Sequence, residues 1–184
     1  MKRIIAIILV TLVLASCSNF NKVLEVRFSV DDNRQVNVQG LPGNPPIPPQ
    51  GLTTSIPPIA VETKSEEYIR EHNTSSELVT IVTLGEIKLE MKEPSSQTFD
   101  IVDSLWLFVS APGLPEMQAA HYFGVPKNQR VLTMETSKEN LKEYFLKDSM
   151  YFRLQGHFYN APDSATIFTI SSRFDVTANP LAKE

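Results

Sequence analysis

The sequence predicts an all-β fold, an antiparallel β-sandwich of seven to eight strands with two short helices, and three observations carry that reading. Apolar residues recur at every second position in segment after segment, the period of a strand with one buried face. Turn-forming clusters such as DDNR, EPSSQ, PKNQ and NAPDS separate those segments. Helical periodicity is confined to two short stretches, without the strand–helix alternation that builds a parallel sheet. No internal repeat is present.

Taken in order, VLEVRFSV alternates Leu24, Val26, Phe28 and Val30 against Glu25, Arg27 and Ser29. DDNR then reads as a turn and QVNVQ as a second strand, so a hairpin is expected. Residues 42–58 hold seven of the 13 prolines. Proline lacks a backbone donor and fixes φ, so this stretch is an extended crossover or loop, in preference to a proline-rich ligand for a partner. TKSEEYIREHN reads as a short helix with a Thr63–Glu66 capping box, closed by Asn73. In ELVTIVTLGEIKLEM, Gly85 interrupts the alternation, which implies one long kinked strand or a strand that changes sheets.

Leu105 to Ser110 is a strand apolar in both phases, which places Trp106 in a core covered on both sides. PGLPE is a loop, QAAHYF a short strand and RVLTMET another. TSKENLKEYFLK repeats the capping pattern with Thr136 and Glu139 and reads as the second helix. MYFRLQGHFY and ATIFTISSRFDV flank NAPDS and read as a long terminal hairpin.

The N-terminus points outside the cytoplasm. Met1-Lys2-Arg3 precedes an apolar run from Ile4 to Ala15, too short for a comfortable membrane span of about 20 residues, so residues 1–16 read as a cleaved secretory signal. Leu14-Ala15-Ser16-Cys17 resembles the lipobox of bacterial lipoproteins. That resemblance implies that Cys17, the sole cysteine, carries the acyl chains that anchor the protein to a membrane. Ser18, standing where an acidic residue would imply inner-membrane retention, favours an outer-membrane lipoprotein of the cell envelope, on either its periplasmic or its surface face. A lipidated tether (17–22) then leads into one β-sandwich domain (23–180) and a short tail (181–184), with no second cysteine for a disulfide. From Cys17 onward the chain has 168 residues, and losing Lys2 and Arg3 takes its net charge from −4 to −6. That sign argues against nucleic acid as a partner.

Catalytic signatures are scarce. There is no G-x-S-x-G elbow and no glycine-rich phosphate loop among seven glycines, and Cys17 is assigned to lipid. His72, His121 and His157 lack the close spacing of a metal site, and no cofactor motif appears. Asp31-Asp32 and Glu66-Glu67 suit a turn and a helix first turn. Asp100, Asp103 and His121 are the scattered residues of the alternative reading, a hydrolase site, and the chain reads as a non-enzyme ahead of that alternative.

A binding module fits better. If Met150, Phe152, Leu154 and Phe158 face the core, the other phase presents Tyr151, Arg153, Gln155, His157 and Tyr159, beside Thr169, Ser171 and Arg173 of the hairpin partner. Tyrosines with arginine and glutamine on a sheet face stack on sugar or peptide and hydrogen-bond to it. A solvated face with cross-strand pairs is the plainer alternative. The loop Ala111 to Glu116 is a second candidate.

The segments NTSSELVTIVTLGEIKLEM and FDIVDSLWLFVSAPGLPE resemble Bacteroidetes-type lipoproteins of uncharacterised role, which implies an immunoglobulin-like or late-embryogenesis-abundant-like sandwich and no functional residue. Asp103-Ser104-Leu105, Asp148-Ser149-Met150 and Asp163-Ser164-Ala165 resemble the O-glycosylation motif of such bacteria. The resemblance implies glycan on Ser149 and Ser164 at turns and less readily on Ser104, with turn and strand-start chemistry as the alternative. The expected function is therefore a lipid-anchored, non-catalytic binding or assembly module whose partner is an envelope protein or a glycan. An envelope hydrolase and a purely structural spacer are the alternatives.

Overall fold

The computed structural model of the chain describes residues 25–38, 41, 46–162 and 166–179. In chain order the strands are β1 (Val26–Val38), β2 (Leu52–Ser55), β3 (Ile59–Glu62), β4 (Val79–Glu93) and β5 (Val102–Ala111). They continue as β6 (Leu114–Phe123), β7 (Val131–Thr133), β8 (Glu135–Thr136), β9 (Ser149–Phe158) and β10 (Thr166–Ala178), with helices α1 (Ser65–Glu71) and α2 (Lys142–Phe145). Two antiparallel sheets form the expected β-sandwich: β1-β10-β4-β7, and β2-β9-β5-β6-β8 with β3 also on β9. Cys17, Ser164, the expected signal, tether and tail, and residues 42–45 of the proline-rich stretch lie outside the described residues.

One apolar core joins the sheets. Val30, Phe174, Leu84 and Leu89 of the first sheet bury against Leu107, Phe152 and Leu154 of the second. Phe174 is the meeting point, with its ring 6.4 Å from that of Phe152 across the interface and 5.6 Å from Phe145 of α2. On one side the sandwich is closed by the chain itself. RVLTMET, expected as a single strand, splits at buried Met134, so that β7 pairs β4 in one sheet and β8 pairs β6 in the other.

Three expectations are corrected. DDNR does not turn the chain, because β1 runs straight through it, paired with β10 from Val26↔Ala178 to Val38↔Thr166. The polar interruption is absorbed by the strand: half-buried Asp32 and Arg34 lie in the inward phase and neutralise each other, with Arg34 Nε donating to both carboxylate oxygens at 3.0 Å. Inward-pointing charge of this kind also protects an edge strand from pairing with another chain. The terminal hairpin is absent as well. β9 lies between β2/β3 and β5, while β10 lies between β1 and β4, so the chain crosses from one sheet to the other after Phe158. The third correction is at the helices. Thr63 donates its hydroxyl to the Lys147 carbonyl instead of capping α1, which starts after Lys64 in the left-handed region (φ 47°). Thr136 is likewise taken into β8, and α2 is one turn set by Asn140, whose Oδ1 accepts from the Lys142 and Val82 amides.

The glycine reading holds, and the proline reading is corrected in part, because Leu52–Ser55, expected as crossover or loop, form the edge strand β2. Residues around Gly85 form a bulge in β4, seen as a register shift against β10, and the strand stays in one sheet. A Cβ at Gly85 would sit 2.2 Å from an Asp175 carboxylate oxygen. The proline-rich stretch ends as an interrupted edge: β2 and β3 both pair β9, separated by Pro57 and Pro58, which have no amide for the ladder. The strand number exceeds expectation because these pieces, and the β7–β8 split, each count separately.

Arg130 holds the end of β4. Its guanidinium donates to the carbonyls of Met91, Lys92, Pro94, Ser95 and Gln97, so one side chain satisfies a whole turn.

Truncating Phe174 leaves a void between the sheets. Phe174→Ala is expected to lower stability by about 3–5 kcal/mol, read from urea unfolding followed by the emission of Trp106. Arg130→Ala is expected to cost about 1.5–3 kcal/mol by the same measurement, and a cost below about 0.5 kcal/mol would show that the turn holds without it.

Candidate functional site

The two outer faces of the sandwich have different chemistry. On the β1-β10-β4 face the outward residues are mostly short polar or charged groups, among them Ser29, Asn33, Thr83, Ser171 and Thr177, with Ile81 and Val131 as scattered exceptions. This is the solvated face usual for an antiparallel sheet. The β9-β5-β6 face instead carries aromatic rings in neighbouring positions.

Register places them. Along β9 and just past its end, Tyr151, Arg153, Gln155, His157 and Tyr159 point outward in order, as the alternation predicts. Directly across on β5, Arg153 faces Phe108 and Gln155 faces Trp106. On β6, His121 faces Trp106 and Phe123 faces Ser104. Trp106 is therefore not a core residue: it is half-exposed on the outer face, edge-on to Phe123 at 5.8 Å. Phe123 is 59% exposed, Tyr159 is exposed toward the same end of the face, and Tyr151 is exposed at the other end, across from Ser110. The Phe123 ring also lies 4.7 Å from that of His121.

The basic side chains on this face lie against carboxylates. Arg153 binds both Glu116 oxygens through its Nε and Nη2 at 2.7 and 2.6 Å, donates from Nη1 to Ser55 Oγ at 2.6 Å and covers the Phe108 ring at 4.2 Å. The Arg153 hydrogen bond holds the Glu116 carboxyl below its usual range, and Glu116 in turn raises Arg153. His121 lies 3.5 Å from Glu135. Tyr159 donates to Asp103 Oδ2 at 3.2 Å, and that bond, with the carboxylate's charge, raises the phenol.

His157 is a latch. Its Nε2 lies 3.1 Å from the Gln50 carbonyl, which only accepts, so that nitrogen carries a proton; Nδ1 lies 2.9 Å from Thr53 Oγ1. Gly51 follows with φ 87°, and a Cβ there would fall 2.4 Å from the imidazole. The proline-rich crossover is thus tied to the aromatic face by a position that requires glycine.

Arg173 is separated from the residues it was expected to join. With β10 in the other sheet it lies on the opposite outer face, 3.4 Å from Glu86 and 3.6 Å from Asp175. Thr169 and Ser171 go with it. The loop at Ala111 to Glu116 is a tight Pro112-Gly113 turn, Gly113 at φ 79° as a type II turn requires, and its Glu116 reaches Arg153. Asp100, Asp103 and His121 engage different partners: Asp100 accepts from the Asn128 amide at 2.6 Å, Asp103 from Tyr159, and His121 pairs Glu135. No hydrogen bond or ion pair joins any two of the three, and among the described residues no cluster of His, Cys, Asp or Glu could hold a metal. Ser149 is half-buried beside Glu62 at the start of β9, and Ser104 is half-buried between His157 and Phe123. Among the described residues no helix is long and apolar enough to cross a membrane.

No family model and no curated protein matches the chain. Among solved structures it is similar to a chain described as Desmodium yellow mottle tymovirus, at 11% identity over 86% of this chain and 92% of that one, with a TM-score of 0.25. A likeness that loose carries no argument, and the sandwich rests on the chain's own strand pairings.

The Glu116–Arg153 pair has a signed pH consequence. A carboxyl depressed in the folded state contributes stability above the ordinary carboxylate range and loses it as pH falls through its lowered folded value. Glu116→Gln is therefore expected to be less stable than the unaltered chain at neutral pH, by about 0.2–1 kcal/mol after screening at this partly exposed site. The gap should close as the pH is taken below about 4, in urea unfolding at a series of pH values; a gap independent of pH would assign the effect to packing.

Proposed function

We propose that this chain is a lipid-anchored, non-catalytic binding module of the cell envelope, held to the outer membrane through Cys17, whose contact surface is the outer face of β9, β5 and β6. The observation that carries the reading is the asymmetry between the two outer faces. Aromatic residues exposed in contact with one another are costly to leave in water and are enriched where proteins bind. On this face Trp106 and Phe123 touch, with Tyr159 toward the same end and Tyr151 at the other, while the opposite face is mostly polar. Net negative charge supports a partner other than nucleic acid. The address rests on the basic start, the short apolar run and the Leu14–Cys17 pattern.

Mass spectrometry of protein extracted from membranes is expected to find Cys17 as the first residue, bearing acyl chains, and Cys17→Ala to leave the detergent phase on partitioning. An intact Met1 with unmodified Cys17 would sink the address. For the surface, Trp106→Ala with Phe123→Ala is expected to keep the fold, since both are outward, and to lose the partner captured from envelope extracts. Undiminished capture by that double variant would place the contact elsewhere.

A further inference from the structure

We propose that the ligand of the aromatic face is a neutral carbohydrate chain, lying along β9 and β5 with its sugar rings on Trp106, Phe123, Tyr151 and Tyr159. This deepens the binding reading above and rests on it. Three features select the ligand chemistry.

The first is charge. The basic groups on the face that border the aromatics lie against carboxylates, Arg153 with Glu116 and His121 with Glu135, while Asp103 keeps its charge on accepting from the Tyr159 hydroxyl. An anionic ligand would have to break these contacts or sit beside carboxylates without a counterpart of its own, at a desolvation cost on both sides. A neutral ligand meets neither cost. The second is the interleaving of ring and polar group. Gln155 lies directly across from Trp106, Ser104 across from Phe123, and Ser110 across from Tyr151. The Gln155 amide makes no hydrogen bond within the protein among the described residues, so its carbonyl and NH2 are open to a ligand hydroxyl. A protein partner favours a contiguous apolar centre with a polar rim. Alternation of rings and short polar groups instead matches sugars, whose C–H faces pack on aromatic rings while their hydroxyls reach amides and hydroxyls at the side. The third is shape. Beside the stripe a hollow of about 200 Å³ is lined by His121, Tyr122, Phe123, Thr133 and Glu135, which gives a branch or chain end a place to seat. From Tyr151 to Tyr159 the stripe runs about 26 Å along the strand direction, enough for several sugar rings in a row.

Trp106, the sole tryptophan, stands at the centre of this face, so its emission reports the site directly. The test is a fluorescence titration of the full chain with neutral hexasaccharides of glucose, mannose, galactose, xylose and N-acetylglucosamine, and with a sulfated oligosaccharide for comparison. At least one neutral hexasaccharide is expected to shift the emission saturably, with a Kd unchanged when salt is raised from about 0.05 to about 0.5 M. Phe123→Ala with Tyr151→Ala, which leaves Trp106 and the core in place, is expected to raise that Kd about tenfold or more. Binding of the sulfated oligosaccharide alone, or of none, overturns the carbohydrate inference. The envelope capture with Trp106→Ala and Phe123→Ala then separates the two claims. If capture falls while no sugar binds, the face is a contact surface for a protein and only the ligand class is wrong; if capture is also unchanged, the binding reading fails with it.

Discussion

Two consecutive strands in opposite sheets are the constraint on which the rest depends. β9 and β10 are close in sequence, yet the first is enclosed by β2/β3 and β5 and the second by β1 and β4. Phe152 and Phe174 meet across the resulting interface, and α2 adds Phe145 to the same cluster. Because the strands are separated, their outward residues go to different faces. Arg173 takes its polar neighbours to one side, and Tyr151, Arg153 and His157 join Trp106 on the other. A hairpin would have mixed the two sets into one bland surface. The crossover sorts them into a polar face and an aromatic one.

The aromatic face is also fixed in shape. Arg153 is held at four points, by both Glu116 oxygens, by Ser55 and by the Phe108 ring, so it covers one aromatic and ties β9 to β2 and β6. His157 does the same for the crossover through Gln50 and Thr53. These contacts fix the Arg153 and His157 side chains in place, which would lower the ordering cost of binding a ligand on this face. The Glu116 pair also occupies the Arg153 cation, which would otherwise favour an anionic partner.

How much of this was legible in the sequence follows from what alternation can and cannot encode. Period two separates inward from outward, so the phase of β9 and β10 was readable residue by residue, as was the bulge at Gly85. It does not say which sheet a strand joins. That is why Arg173 was grouped with Tyr151, and why RVLTMET read as one strand. DDNR looked like a turn because Asp and Asn favour turns, but Arg34 two positions after Asp32 lets the strand continue by neutralising it in the same phase. Trp106 was missed for a different reason. Both phases of SLWLFVS are apolar, so periodicity has no contrast there, and two-sided burial is the natural reading when the outward face is itself aromatic. The Thr63 and Thr136 capping patterns failed because tertiary partners, the Lys147 carbonyl and β6, claimed those residues first.

The central claim is that one outer face of the sandwich is a contact surface and the other is not. Hydroxyl-radical footprinting on the intact envelope, compared with the purified chain, tests it most directly, because both faces carry oxidisable residues. Protection of Trp106, Phe123 and Tyr151, with Ile81 and Val131 on the opposite face oxidised equally in both samples, is the expected result. Equal oxidation of the aromatic face in both samples, or protection confined to Ile81 and Val131, would contradict it.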